Sequence, residues 1–464
     1  MVAANDKRIP TESLYAAHEK IYPREMKGRF QRWRHLNVIV ILVIYYGLPW
    51  LNWHHHQAIL FDLPARQFYI FGITFWPQDF YYLTWLLIIA ALSLFLVTAI
   101  AGRIWCGYSC PQTVWTEAFL WLERITEGHY RQRIKLDQSP WTPEKFFKKF
   151  FKQCLWISFA LWTGFTFVGY FTPIKILASQ LSMGALGGWE WFWSIFYSFA
   201  TYGNAGFLRE QVCKYMCPYA RFQSAMFDKE TLIVSYDAAR GEPRGSRKRT
   251  EIATNLGSCI DCQMCVQVCP TGIDIRDGLQ YECIGCAACI DACDSVMDHM
   301  GYARGLVKYT SENSLTQKKT RVLRPRIIIY TSVWLALCST FFLTIYLRTP
   351  LAVDVLRDRN ALYQQSDQGI DNIYTLKIMN KDHQAHTYTI QASGLDSLSI
   401  ISNTQTPMIA AGEVFTLPLR IRVKSSAIHQ PSNTIHIRVQ TADKTIFTTE
   451  TTLFWAPFAW EKKS

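Results

Sequence analysis

The chain has 464 residues, a net charge of +12 and 14 cysteines, and half of its residues are hydrophobic. The cysteines stand mostly in arrays with two- or three-residue gaps, which indicates metal thiolates in a reducing compartment and argues against a secreted disulfide framework. The basic residues crowd the ends of apolar runs, and no nucleic-acid-binding module is recognisable. The excess charge therefore predicts membrane topology, with lipid rather than nucleic acid as partner.

The first 35 residues are polar and contain no long apolar stretch, so we expect no cleaved secretory signal. Five later runs approach the roughly 20 residues that a helix needs to cross a bilayer. These predicted spans are residues 36–53, 80–101, 154–171, 189–207 and 327–347. The fourth run starts with Glu190 and is interrupted by Gly203, Asn204 and Gly206, which leaves a buried soluble helix as its alternative.

Lysine and arginine predict the orientation, because cytoplasmic flanks retain them during insertion. Eight fall in residues 1–35, nine between the second and third runs, and seventeen between the fourth and fifth, against one each in residues 54–78 and 172–188. We expect a multi-pass protein of a bacterial inner membrane. The predicted domains are a cytoplasmic segment 1–35, a four-span membrane domain 36–228, a cytoplasmic insert 229–325, a fifth span 326–348 and a periplasmic domain 349–464.

A C-x3-C-P motif follows both the second and the fourth run. Cys106 and Cys110 stand in IWCGYSCPQ, and Cys213 and Cys217 stand in QVCKYMCPY. The repeat suggests duplication of a two-helix unit. Cysteines four apart face one side of a helix, so we predict that these C-x3-C-P thiols converge on a third metal site suited to Cu(I), zinc or iron–sulfur iron. Buried inert thiols are the alternative.

The insert carries two copies of the C-x2-C-x2-C-x3-C pattern, CIDCQMCVQVCP from Cys259 and CIGCAACIDACD from Cys283. Two-residue gaps let a tight loop present three sulfurs to one [4Fe-4S] cube, and the fourth cysteine ligates the neighbouring cube. We predict two clusters. Site 1 consists of Cys259, Cys262, Cys265 and Cys293, and site 2 consists of Cys269, Cys283, Cys286 and Cys289. Zinc is the alternative metal, and Asp294 departs from the first motif, which has Pro270 there.

Beyond the fifth run, short stretches alternate apolar and polar residues, at 373–378, 415–423, 434–439 and 445–454. Period-two alternation separated by turn-rich segments predicts a small β-sandwich of immunoglobulin type. The fold class is thus a polytopic α-helical membrane protein with a two-cluster ferredoxin-like insert and a C-terminal sandwich. No Walker loop or strand-borne GxGxxG is present, so we expect electrons from a partner or from quinol.

In this order, the paired C-x3-C-P ends, the double ferredoxin motif and the C-terminal sandwich resemble the cytochrome c oxidase accessory proteins of the CcoG/FixG (RdxA) family, which are membrane-bound polyferredoxins. The resemblance covers nearly the whole chain. It implies reduction of Cu(II) to Cu(I) for assembly of a cbb-type oxidase, with oxidase-assembly or copper-delivery proteins as partners. Cu(I) suits soft sulfur ligands such as the C-x3-C-P thiols, which would be the catalytic residues.

Two other functions remain open from the sequence. The chain could be a quinol-oxidising relay subunit, because similar membrane ferredoxins with C-x3-C-P ends serve quinol-linked reductases. It could also be a non-enzymatic scaffold for oxidase assembly with structural or sensing clusters. The electron donor, the cluster potentials and the oligomeric state cannot be read from these residues.

Overall fold

The computed structural model describes residues 20–53, 56–249, 255–358, 361–382, 384–401, 406–428 and 430–457. Residues 1–19 of the predicted N-terminal segment lie outside this set. The chain forms two compact units, Met1–Cys338 and Ser339–Ser464.

The first unit is largely helical, and each of the five apolar runs is mainly helix. Its helices, in chain order, are α1 Arg29–Gly47, α2 Phe80–Ala101, α3 Ile104–Tyr108, α4 Pro111–Glu127, α5 Tyr130–Gln138, α6 Pro143–Val168, α7 Ile174–Ser182, α8 Gly188–Thr201, α9 Pro218–Ala225, α10 Ala238–Gly241, α11 Met264–Gln267, α12 Ala288–Met300 and α13 Glu312–Leu315. The last helix, α14 Pro325–Tyr346, begins in the first unit and ends in the second. The interrupted fourth run continues beyond α8 as a π-helical segment, Tyr202–Leu208. Glycines and Asn204 in that segment loosen the α-helical hydrogen bonding without ending the helix.

Two helices in the described part of the chain are long and apolar enough to cross a membrane, Pro77–Ala101 and Pro325–Tyr346. Only 11% and 6% of their apolar windows are buried, so nearly all of this apolar surface faces outward. A helix satisfies its own backbone hydrogen bonds, which is what an apolar environment requires. The five-span prediction therefore rests on these two helices and on three less apolar ones.

Short strands form two small sheets and a ribbon in this unit. The strands are β1 Asn52–Trp53, β2 His56–Gln57, β3 Ile59–Asp62, β4 Gln67–Ile70, β5 Ile73–Phe75, β6 Ile233–Tyr236 and β7 Val307–Thr310. β1 pairs with β2, and β3, β4 and β5 form an antiparallel meander between α1 and α2. β6 and β7 pair antiparallel, and this ribbon closes the cysteine-rich insert at its two ends.

The insert is fastened to the ends of two helices. Buried Asp291 of α12 accepts hydrogen bonds from the backbone N–H groups of Phe30 (3.2 Å) and Gln31 (2.8 Å) in the first turn of α1. A carboxylate there satisfies unpaired donors and complements the positive end of the helix dipole. In the last turn of α2, the Ala99 carbonyl accepts a hydrogen bond from the Arg324 guanidinium at 2.7 Å. The insert therefore lies at the start of α1 and the end of α2.

The second unit is a two-sheet β-sandwich. Its strands are β8 Leu351–Arg357, β9 Gln364–Ser366, β10 Gly369–Asn380, β11 His386–Ser393, β12 Ser399–Ile400, β13 Met408–Ile409, β14 Val414–Val423, β15 Ser432–Thr441 and β16 Phe447–Trp455. One sheet has the order β12-β14-β10-β8 with β9 beside β10, and the other has the order β13-β11-β15-β16. The four predicted strands are β10, β14, β15 and β16, and β8 and β11 extend the two sheets.

Alternate residues of these strands build the core between the two sheets. Leu376 and Ile378 of β10 and Ile435 and Ile437 of β15 are fully buried. The Tyr374 hydroxyl, also buried, donates to the Leu453 carbonyl of the opposite sheet at 2.9 Å. A buried hydroxyl with a partner costs little, and this bond ties the two layers together.

Candidate iron–sulfur and thiol sites

The eight cysteines of the two ferredoxin motifs line two cavities of similar size. Cys259, Cys262, Cys265 and Cys293 line the first cavity. Cys269, Cys283, Cys286 and Cys289 line the second. These are the site 1 and site 2 sets, with the fourth cysteine of each motif in the other motif's cavity. Cys265 lines both cavities, so the two spaces adjoin.

The two loops repeat the same unusual backbone. The residues before and after the second cysteine have positive φ in both motifs, Asp261 (51°) and Gln263 (56°) in the first and Gly285 (66°) and Ala287 (60°) in the second. Three of these four lack the freedom of glycine, so the surrounding structure must hold them there. Alternating left-handed residues create concave rows of backbone N–H groups, which suit an anionic iron–sulfur group. Backbone and thiols together thus fit the predicted clusters.

Burial makes these sulfurs reluctant to ionise on their own. Removal from water raises the pKa of Cys265 to about 11 and the pKa of Cys283 and Cys293 to about 12, and neighbouring thiols add to the effect for Cys283 and Cys293. Iron must therefore displace protons when it binds. Among the described residues, no three or more Cys, His, Asp or Glu side chains close around a single ion. A cube distributes four thiolates over four irons, so it does not require that arrangement.

Asp294, the departure from the first motif, has a structural role. It lies inside α12, which runs on to Met300, and its side chain accepts a hydrogen bond from Gly305 N at 2.8 Å. Pro270 follows the short helix α11, which ends at Gln267. A proline at position 294 would break α12, because it lacks an N–H and clashes with the preceding turn.

The C-x3-C-P motifs differ from the prediction in one respect. Each pair was expected on one face of a continuous helix, and this is wrong. Cys106 lies in α3 and Cys110 is the N-cap of α4, whereas Cys213 lies in a π-helical turn, Val212–Met216, and Cys217 is the N-cap of α9. Proline favours the first position of a helix, so in each motif a new helix begins directly after the second cysteine, at Pro111 or Pro218.

The repeat itself is visible in the backbone. Gly102 (φ 54°, ψ −122°) and Arg209 (φ 40°, ψ −111°) each precede the first cysteine of a pair by four residues. The chain therefore adopts the same positive-φ conformation four residues before each motif. This agreement supports the duplication suggested by the sequence.

The four C-x3-C-P thiols share one neighbourhood. Burial and the nearby thiols of Cys110, Cys106 and Cys217 raise the pKa of Cys213 to about 12. Cys213 also lines a cavity together with Pro270, Thr271 and Ile284 of the ferredoxin loops. The thiols thus lie near one another beside the insert, without closing around one ion.

The first C-x3-C-P motif packs directly against site 2. A methyl group on Gly107 would lie 2.8 Å from Cys286 Cα and 2.9 Å from the Ile284 carbonyl oxygen, so only glycine permits this approach. Cys106 packs in the same apolar cluster as Cys286 and Cys289. The motif therefore packs against the site 2 loop through its backbone at Gly107.

Arg103 connects the same two elements and was not predicted. Its buried guanidinium donates to the carbonyls of Tyr281 and Cys283 in the site 2 loop, and its Nε donates to Gln223 Oε1 at 3.1 Å. The Cys106 thiol donates to that same Gln223 oxygen at 3.2 Å. The signal in the sequence was an arginine three residues before a metal-type cysteine.

A second feature missed from the sequence is a buried charged network along α4. Glu123 is fully buried and accepts from Arg209 Nη2 at 2.9 Å and Arg133 Nη1 at 3.3 Å. Burial alone would raise the pKa of Glu123, but the charges of Arg209, Lys20 and Arg133 outweigh it and lower that pKa to about 2. Carboxylates on the apolar face of an amphipathic helix were the available signal.

Family comparisons agree with these sites. Residues 208–312 match a 4Fe-4S dicluster domain, residues 83–127 match a 4Fe-4S binding domain, and residues 341–457 match the IG-like fold at the C-terminal of FixG. The prediction of an immunoglobulin-type sandwich is thereby confirmed. A dicluster domain binds two [4Fe-4S] clusters, which is the number predicted from the two cysteine motifs.

Three relatives match most of the chain. Protein RdxB of Cereibacter sphaeroides is 42% identical over 406 residues, covering 84% of this chain and 85% of RdxB. Nitrogen fixation protein FixG of Rhizobium meliloti is 38% identical over 427 residues, covering 83% and 82%. Protein RdxA of Cereibacter sphaeroides is 40% identical over 399 residues, covering 83% and 84%. The chain belongs to the FixG/RdxA family and is a membrane iron–sulfur electron-transfer protein.

Proposed function

We propose that this protein reduces Cu(II) to Cu(I) at its C-x3-C-P thiols and supplies the product to assembly of a cbb-type oxidase. The contact between Cys106–Gly107 and the site 2 loop carries the proposal. It joins a group of half-buried thiols to an iron–sulfur site through direct backbone contact. The copper step itself comes from the family resemblance.

In this proposal, Cys259, Cys262, Cys265 and Cys293 hold one cluster, and Cys269, Cys283, Cys286 and Cys289 hold the other. When bound, the clusters supply one-electron redox chemistry. The adjoining cavities keep the two ligand sets neighbours. Of the proposed copper-binding thiols Cys106, Cys110, Cys213 and Cys217, Cys106 packs against the site 2 loop, and Cys213 shares a cavity with Ile284 of that loop. Site 2 thus lies between site 1 and the C-x3-C-P thiols, which is the arrangement that a relay of electrons from site 1 to the thiols requires.

The C-x3-C-P thiols suit copper as substrate. Each Cu(II) ion takes up one electron from the reduced protein and becomes Cu(I), which soft thiolates prefer over harder oxygen ligands. Burial raises the pKa of the Cys106 thiol, and the positive charge of Arg103 opposes part of that rise. The metal must therefore displace a proton from this sulfur when it binds. Oxidase-assembly or copper-delivery proteins would then accept Cu(I).

The membrane arrangement that we propose has five spans, α1, α2, α6, α8 and α14. Exposed apolar side chains support it, for example Leu87 of α2, Phe199 of α8 and Phe342 of α14. The insert contacts the start of α1 and the end of α2, which fits helices that cross in opposite directions with both ends on one side. The lysine and arginine bias makes that side cytoplasmic in a bacterial inner membrane, with the sandwich in the periplasm.

Anaerobic single-turnover reduction tests the proposal. Protein with pre-reduced clusters should reduce Cu(II), whereas C106S/C213S should lose most of this rate and keep its cluster absorbance. The matched control is C154S/C338S, which removes two cysteines that stand alone in α6 and α14. Equal rates in both variants would exclude the C-x3-C-P thiols as the copper site. Cluster reduction by a quinol analogue with no copper reduction would favour the relay function.

A further inference from the structure

Site 1 has an outlet to solvent that site 2 lacks. Of the eight cluster cysteines, Cys262 alone is exposed. It lies in a surface opening lined by residues of two loops and of α12, namely Arg249, Ile260, Cys262, Ser295, Val296, Asp298 and His299. Site 2, in contrast, is covered by the first C-x3-C-P motif. An external redox partner can therefore approach the clusters most closely at Cys262.

The basic segment Arg240–Arg249 is fixed beside this opening. Gly245 N donates to the Cys259 carbonyl at 3.2 Å, and Ser258 N donates to the Arg240 carbonyl at 2.9 Å. The Arg247 guanidinium donates to the Gly257 carbonyl at 2.5 Å and lies 5.3 Å from the centre of the Tyr302 ring. The segment is thus part of the wall of site 1, and its charges have defined positions.

The charge around the opening is predominantly positive. Arg244, Lys248 and Arg249 are exposed along the segment. The nearby carboxylates are paired: Asp298 accepts from Arg304 at 2.7 Å, Asp261 pairs with Arg276, and Glu242 lies 3.8 Å from Arg244. The last pair offsets part of the Arg244 charge and leaves Lys248 and Arg249 as the other exposed cations of the segment. Exposed Leu256 and half-buried Ile260 and Val296 add apolar surface inside this basic rim. A small apolar centre with a charged rim is typical of transient electron-transfer interfaces.

We propose that this surface, residues 240–249 with 256–262 and 295–299, docks an acidic, soluble one-electron carrier protein that reduces site 1. One reduced carrier gives up one electron and is oxidised, and the cluster at site 1 is reduced by that electron. The inference rests on the site 1 ligand assignment but is independent of copper. The sequence alone did not identify the electron donor, and this surface indicates a protein with a negatively charged face.

Binding of a defined probe tests this surface in the full-length, detergent-solubilised protein. The probe is an acidic plant-type [2Fe-2S] ferredoxin, and the variant R244E/R249E is compared with K318E/K319E, which makes the same charge change at exposed residues elsewhere in the insert. At low ionic strength we expect R244E/R249E to weaken ferredoxin binding by about tenfold or more and the control by less than about twofold. The difference should vanish near 1 M salt, where screening shortens to about 3 Å.

The rate of cluster reduction gives a second measurement. Reduced ferredoxin should reduce R244E/R249E more slowly than wild type, whereas the methyl viologen radical cation should not. Equal losses in both charge variants, or no loss in either, would overturn the proposal. So would loss of binding to anionic lipid vesicles with ferredoxin binding unchanged, since the segment would then recognise lipid. If R244E/R249E loses iron, the neutral pair R244A/R249A decides by the same criteria. Copper reduction with chemically pre-reduced protein is unaffected in either case, which separates this test from that of the copper function.

Discussion

The contact between the first C-x3-C-P motif and the site 2 loop can be tested by adding one methyl group at Gly107. In Gly107→Ala, the new Cβ would lie 2.8 Å from Cys286 Cα and 2.9 Å from Ile284 O, and both partners are backbone atoms that cannot rotate away. Overpacking of this kind costs about 1–3 kcal/mol. Alanine recovers up to about 1 kcal/mol of helix propensity in α3. The net loss of stability should therefore be about 0–3 kcal/mol.

The functional effect should be larger than the effect on stability. Separation of Cys106 from the site 2 loop should slow Cu(II) reduction by pre-reduced protein, while iron content stays at the wild-type level. Gly47→Ala is the matched control, because a methyl group on Gly47 at the end of α1 meets nothing within 4 Å. Thermal unfolding followed by loss of cluster absorbance, together with single-turnover copper reduction, measures both effects. A Gly107→Ala protein that matches Gly47→Ala in copper reduction would refute the contact as the electron route.

Three further predictions concern other contacts. Cys293→Ser should alter the same paramagnetic resonance signal as Cys262→Ser, and Cys269→Ser the same signal as Cys286→Ser. If Cys293→Ser instead altered the signal that Cys286→Ser alters, the exchange of fourth ligands would be contradicted. The Glu123 pKa of about 2 lies below its ordinary 4.5, so its stabilisation is complete above pH 4.5 and falls as the pH drops towards 2. The free energy of unfolding of wild type should therefore exceed that of Glu123→Gln by roughly 3 kcal/mol at neutral pH. Unfolding followed by fluorescence should show this difference shrinking below pH 4.5. A difference that does not change with pH would argue against the pairing of Glu123 with these cations. Asp291→Ala should destabilise the protein by about 0.5–2 kcal/mol through loss of the α1 cap, with Asp291→Asn closer to wild type in the same assay.

Local spacing predicted those features whose cause is local. Apolar length gave the helices α2 and α14, and period-two alternation gave β10, β14, β15 and β16. The grouping of eight cysteines into two cavities follows from the two-residue gaps, which force three sulfurs of one loop around one space. Assignment of these sulfurs to particular irons stays a prediction.

Features that depend on distant residues could not be predicted in this way. The thiols of each C-x3-C-P pair are on separate helices because Pro111 and Pro218 start new ones, and spacing alone suggested a single helix. Arg103 acts through Gln223 and the Cys283 carbonyl, 120 and 180 positions away. Partners at such separations are brought together only by the fold.

Metal content tests whether the eight motif cysteines hold two [4Fe-4S] clusters. Anaerobically purified protein should hold about eight irons per chain, four per cube, with paramagnetic resonance signals of two interacting [4Fe-4S] clusters after reduction. The C106S/C213S variant should keep all of that iron and lose only copper. Zinc in place of iron would mean that the two loops hold no cluster. About twelve irons in wild type, falling by about four in C106S/C213S, would mean that the C-x3-C-P thiols hold a third cluster. Either result would contradict two clusters beside a copper site.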